Sequence, residues 1–141
     1  MAALQPDEIR PGLVAFLDPE VLARDERVVN TKDPRTGIRP GPFVCVSERD
    51  ETSRWAQITT EERRERLPIP PEWRTGGHPQ WLRDPQYLQD GANVWHGPNE
   101  VFVAASSEEL TDTSSRAWVT EDGLVEIASE MGRQRRRRER D

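Results

Sequence analysis

Two histidines, one cysteine and a C-terminal cluster of arginines are the side chains in this 141-residue sequence best suited to move protons, form a covalent bond or hold an anion. His96, in Trp95-His96-Gly97-Pro98, and His78, after Gly76-Gly77, carry the only imidazoles. That group's unperturbed pKa suits proton shuttling near neutrality, although loop histidines are more often idle. Cys45 sits in the apolar run Phe43-Val44-Cys45-Val46. With no cation or base placed to form a thiolate, it reads as a small buried hydrophobe. Trp73, Trp81 and Trp95 are able to stack unpaired bases, a contact worth about 1–3 kcal/mol per base. Core and loop-pinning duty is the competing use of the same rings.

Cofactor chemistry finds little support. The sequence has no phosphate-cradling glycine loop and no dinucleotide fingerprint, and two histidines with one cysteine cannot assemble an ordinary zinc site. The expected cofactor complement is none, and a single cysteine rules out an intrachain disulfide.

The elements that must position these groups are mostly short strands. Leu13–Leu17 is an apolar run bracketed by Pro11-Gly12 and Asp18-Pro19, which predicts a first strand. Residues 18–42 are polar and rich in turn formers and read as a long exposed loop. Phe43–Glu48 is a second strand, Arg49–Ser53 a charged turn and Arg54–Thr59 its hairpin partner. Residues 66–69 offer a short edge strand among prolines, and the stretch on to Asn93 reads as an irregular loop pinned by aromatic rings. Val94-Trp95 and Glu100–Ala105, flanking His96-Gly97-Pro98-Asn99, predict a second hairpin; Arg116–Val119 is a last strand. Thr120 is a plausible N-cap, and Leu124, Ile127, Ala128 and Met131 recur at helical spacing. Beyond Gly132 no apolar residue remains, so residues 133–141 read as a frayed, disordered basic tail after a single domain at 1–132.

Composition sets bounds. Apolar and charged residues each make up 33% of the chain, so a small core must carry extensive loops, with five tryptophans supplying large buried area. The net charge is −6, yet the arginine-rich 133–141 segment is +4, leaving −10 for the rest. Such a body disfavours general nucleic-acid binding unless a local patch is basic. The first residues lack a basic segment followed by an apolar stretch, and nothing later approaches a membrane span. A cytoplasmic location without membrane partners is the expectation.

In order and spacing, several segments resemble the MazF/PemK family: Arg10–Pro19, Gly37-Ile38-Arg39-Pro40 before the strand at 43–46, Gln57-Ile58-Thr59-Thr60, and Gly123–Ile127. The resemblance implies a mainly β fold, a small SH3-like barrel with a closing C-terminal helix, interrupted here by a long insertion at 70–92. It further implies a metal-independent endoribonuclease, the toxin of a toxin–antitoxin system. Such an enzyme acts as a homodimer on single-stranded RNA and is restrained by a cognate antitoxin protein. By motif, Arg39 stabilises transition-state charge and Thr59, or Thr60 one register on, positions the phosphate. Trp73, Trp95 and His96 are the candidate substrate contacts. Thr59-Thr60-Glu61-Glu62 equally fits a capping box that starts a short charged helix. A non-catalytic barrel serving as a protein-interaction module is the alternative function. A third reading is a poison of a DNA-processing enzyme acting through the C-terminal helix, but nothing in residues 120–141 singles it out.

Overall fold

The computed structural model describes residues 4–31, 40–77, 79–106 and 116–140. Its strands are β1 (Leu13–Leu17), β2 (Val29–Asn30), β3 (Gly41–Arg49), β4 (Thr52–Thr59), β5 (Arg74–Thr75), β6 (Tyr87–Leu88), β7 (Val94–Pro98) and β8 (Ala117–Val119). Its helices are α1 (Pro19–Arg24), α2 (Pro79–Arg83), α3 (Asn99–Ala105) and α4 (Glu121–Arg140). All pairings are antiparallel, in the order β2-β7-β4-β3-β1-β8-β5, with β6 paired to the far end of β4. The class is mainly β, as expected. The barrel is not closed: among the described residues no pairing joins β2 to β5.

Alternation along the central strands gives the sheet two buried faces. On one, Leu13, Ala15, Leu17, Phe43, Cys45, Trp55 and Trp95 pack with Leu22 of α1 and Val101, Phe102 and Ala105 of α3. Trp55 stacks on Phe102 with centroids 5.5 Å apart, and its indole N–H donates to the Ser53 hydroxyl at 2.8 Å. On the other face Val14, Val44, Ala56 and Ile58 pack with Ile69, Trp81, Leu88, Val119 and Ile127 of α4. Burial pushes the Cys45 thiol up to about 12, so it is a core residue with no thiolate at neutral pH.

Four segments depart from the sequence reading. The strand expected at 100–105 is the helix α3: Pro98 is its N-cap, and Val101, Phe102 and Ala105 fall on one buried stripe. The loop expected at 18–42 contains α1, whose N-cap Asp18 accepts the Glu20 N–H at 2.9 Å with Pro19 in the first turn, and also the short β2. The 70–92 insertion is not irregular. It holds β5, α2 and β6, and Arg74 pins it by donating to the carbonyls of Trp81 and Asp84 at 2.6 and 2.7 Å. The edge strand expected at 66–69 shrinks to a single bridge, Pro68 to Tyr87.

Helix α4 opens as expected, with the Thr120 hydroxyl accepting the Gly123 N–H at 3.2 Å. It runs on through the arginines to Arg140, past Gly132 where the loss of apolar residues predicted its end. Glu130 accepts from Arg133 at 3.2 Å and Arg137 at 3.1 Å, side-chain pairs that support the extra turns. Gly123 lets the helix close on the sheet. A Cβ there would lie 2.8 Å from both Trp73 Cβ and Val119 Cγ1.

Gly123→Ala is expected to destabilise the fold although alanine is the better helix former. Overpacking of about 1–3 kcal/mol outweighs the roughly 1 kcal/mol gained in propensity, a loss that urea denaturation would register. Cys45 is expected to react with a thiol reagent only after denaturation; rapid labelling of the native chain would contradict its placement.

Candidate functional site

The row of side chains that crosses the sheet next to Trp55 and Trp95 faces the opposite way. Val29 pairs with His96, His96 with Arg54 and Arg54 with Ser47, a line over β2, β7, β4 and β3. A bulge between Cys45 and Ser47 places Val46 as an extra residue in β3 beside that line. Partners directly opposite in an antiparallel pair have Cβ atoms about 5 Å apart, so the Arg54 and His96 side chains emerge next to each other.

These residues floor a groove of about 810 Å³ whose other wall is the C-terminal half of α4, through Ala128, Met131, Gly132 and Arg135. Its end is closed by Gly91, Ala92 and Thr31. The Thr31 hydroxyl donates to the Ala92 carbonyl at 2.6 Å and accepts the Val94 N–H at 2.8 Å, which holds that end in place. Among the described residues the lining has two arginines and a histidine and no carboxylate, in a chain where acidic residues outnumber basic ones by 26 to 20.

The arginines of the groove differ from most of those around them. Arg27 is held by Asp25 and Glu100, Arg63 by Glu61, Arg116 by Glu8, and Arg133 and Arg137 by Glu130. Among the described residues no carboxylate is in ion-pair contact with Arg54 or Arg135. Two uncompensated guanidiniums beside an imidazole, in a concavity walled by valines and a methionine, make a site for an anion. Apolar walls strengthen each of those attractions over their worth in open water. The same set can bind a phosphate bidentately and move a proton beside it. Among the described residues no cluster of His, Cys, Asp and Glu could hold a metal ion, and no helix is long and apolar enough to cross a membrane.

Of the site residues expected from sequence, His96 alone lies in the groove. Arg39 and His78 fall outside the described residues. Thr59 sits five residues from Arg54 along β4, roughly 16 Å away and on the other face. Its hydroxyl accepts the Glu61 N–H at 3.1 Å in a local turn, and no helix starts there. Thr60 follows it, exposed. Trp95 is 1% exposed in the core and offers no stacking face. Trp73 is half-buried against Gly123, under the start of α4. Sequence reading missed Arg54 and Arg135. The alternation that turns Trp55 inward also turns Arg54 to the other face, but only the fold shows that α4 roofs that face.

Arg54→Gln is expected to leave unfolding free energy within the roughly 0.5 kcal/mol of an ordinary surface change, because the guanidinium has no structural partner among the described residues. Arg116→Gln is expected to cost more, about 1–2 kcal/mol, since its bidentate bonds to Glu8 at 2.8 and 3.0 Å tie the N-terminal segment to the base of β8. The hydrogen bond from Arg116 holds the Glu8 carboxyl below its usual range. The cost of losing Arg116 is therefore present at neutral pH, and it fades as pH falls through that lowered value. Denaturation curves for both variants at several pH values separate the two roles. In comparison with known proteins, the chain matches no protein-family model, no curated protein and no solved structure.

Proposed function

We propose that the chain is a metal-independent endoribonuclease that takes single-stranded RNA into the groove between the sheet and α4. The observation that carries the reading is the pair Arg54 and His96, in register on neighbouring strands and facing a groove with Arg135 and, among the described residues, no carboxylate. Cleavage by the adjacent 2′-hydroxyl forms an O2′–P bond and breaks the P–O5′ bond. It needs in-line geometry, a proton acceptor for O2′, a proton donor for O5′ and positive charge at the phosphorane. His96 is the one described lining residue suited to accept the O2′ proton, solvent water protonates O5′ on the opposite side of phosphorus, and Arg54 and Arg135 supply the charge. Arg39 keeps the charge-stabilising role implied by the resemblance to the MazF/PemK family. From the same resemblance, the enzyme is a cytoplasmic homodimer and the toxin of a toxin–antitoxin pair, held in check by a cognate antitoxin protein.

A second reading, a non-catalytic protein-interaction module, is favoured by the groove's lining, which holds three valines and a methionine and, among the described residues, no tryptophan, tyrosine or phenylalanine. A partner that stays bound after nuclease treatment of a lysate, together with the absence of RNA cleavage, would select it.

Purified protein incubated with a long unstructured RNA in the presence of chelator tests the first reading. Wild type is expected to cut. His96→Ala is expected to lose about 10²–10⁴-fold in rate and Arg54→Ala about 10²–10³-fold, with Arg39→Ala as a parallel probe. Intact RNA, or equal cutting by the His96 and Arg54 variants, overturns it.

A further inference from the structure

Gly132 stands in the interior of α4, where glycine is the poorest helix former after proline. Packing among the described residues does not call for it. A Cβ at Gly132 would have one neighbour within 4 Å, the Arg136 Nη1 at 3.4 Å, which is the free end of a flexible side chain. The other glycines at this helix are different. Gly123 is crowded by Trp73 and Val119, and a Cβ on Gly91, across the groove, would meet Gln134 Oε1 at 3.0 Å. Gly132 thus leaves helix backbone bare at the point where α4 lines the groove, with Ala128 one turn before it and Ala92 at the groove's end. Bare backbone suits the close approach of a ligand, and here, among the described residues, only the flexible Arg136 side chain comes near. Arg135 lines the groove beside it, and Arg136 reaches back over it.

We infer that the helix surface at Gly132 is the wall along which the sugar–phosphate backbone of a single RNA strand runs, with Arg54, Arg135 and Arg136 taking successive phosphates. The inference rests on the ribonuclease reading and adds to it which part of the RNA is gripped. Among the described residues the groove lining contains no tryptophan, tyrosine or phenylalanine, and His96 is its one aromatic ring, so stacking offers little beside the charge of its arginines. Arginines and bare backbone hold phosphates without distinguishing bases. The strand is gripped by its backbone, with its bases turned outward.

Anisotropy with labelled RNA oligomers, read beside thermal melts, tests this. Gly132→Leu adds a good helix former that projects into the groove, so it is expected to melt no lower than wild type. Its affinity for RNA is expected to fall about tenfold, the scale of one displaced charge-assisted contact. Uridine and adenosine homopolymers are expected to bind wild type within about threefold of each other. Should Gly132→Leu melt lower, Gly132→Ala, whose single Cβ the site accommodates, carries the comparison, and its unchanged affinity would then count against the inference. Equal binding by a stably folded Gly132→Leu and wild type overturns the helix-wall role while leaving the ribonuclease reading in place. A large preference for one homopolymer does the same to backbone gripping. No binding of RNA by wild type removes both. Tight binding of polyglutamate that is lost in Gly132→Leu reassigns the groove to an acidic peptide and overturns the inference.

Discussion

The contact on which the arrangement depends is the closure of α4 onto the second face of the sheet at Gly123. Thr120 donates its N–H to the Trp73 carbonyl at 2.8 Å and caps the helix with its hydroxyl, so the chain enters α4 already fixed to the 3-10 turn at Pro71–Trp73. The missing side chain at Gly123 then brings the helix axis down until Ile127 is fully buried. From there the direction of the helix is set, and its later turns project over β3, β4 and β7. The groove is the space that remains when a helix anchored at one end of a twisted sheet extends beyond the apolar residues that seat it.

Alternation and the β3 bulge determine what lines that space. Trp55 and Trp95 are cross-strand partners on the first face, where indole rings bury large apolar area against α3. The next row necessarily points the other way, so the burial that makes the tryptophans useless for stacking on a ligand is what presents Arg54 and His96 together. A one-residue slip of β4 against β7 would exchange the two rows and bring a guanidinium into the core. The register is therefore enforced by the cost of burying that charge.

Much of this architecture is readable in the chain. Leu13–Leu17 is bounded by turn residues and folds as β1 over the same span, and the two strands of the 43–59 hairpin follow from the apolar run at 43–46 and a loose alternation over 54–59. The tight turn between them falls on Asp50 and Glu51, both at positive φ, as two-residue hairpin turns require. The Thr120 cap and the apolar stripe of α4 were equally legible. The errors share a cause. Val101-Phe102-Val103 has strand-like composition, but its helical stripe shows only when α1 is available to pack against it, and α1 was itself hidden in a polar stretch. The two-residue strands β5 and β6 are too short for any periodicity. For the site, His96 was visible as a chemical type. Arg54 was not, because an exposed arginine on a half-buried strand looks like any solvated charge until a helix from the other end of the chain is laid across it.

The remaining tension is an acidic chain whose groove is lined by unpaired arginines. Screening resolves it. At physiological ionic strength the Debye length is about 8 Å, so carboxylates on distant surfaces act only weakly on a charge inside the groove. Within that range the ordering of α4 matters more than net charge, since Glu130 occupies Arg133 and Arg137 and leaves Arg135 unpaired toward the groove. The body's negative charge then acts mainly on encounter, slowing the approach of any polyanion, while local contacts set how long it stays. A continuous helix in place of a frayed tail holds Arg135, Arg136 and Arg137 on one element. That geometry gives the C-terminal charge a direction that composition by itself does not supply.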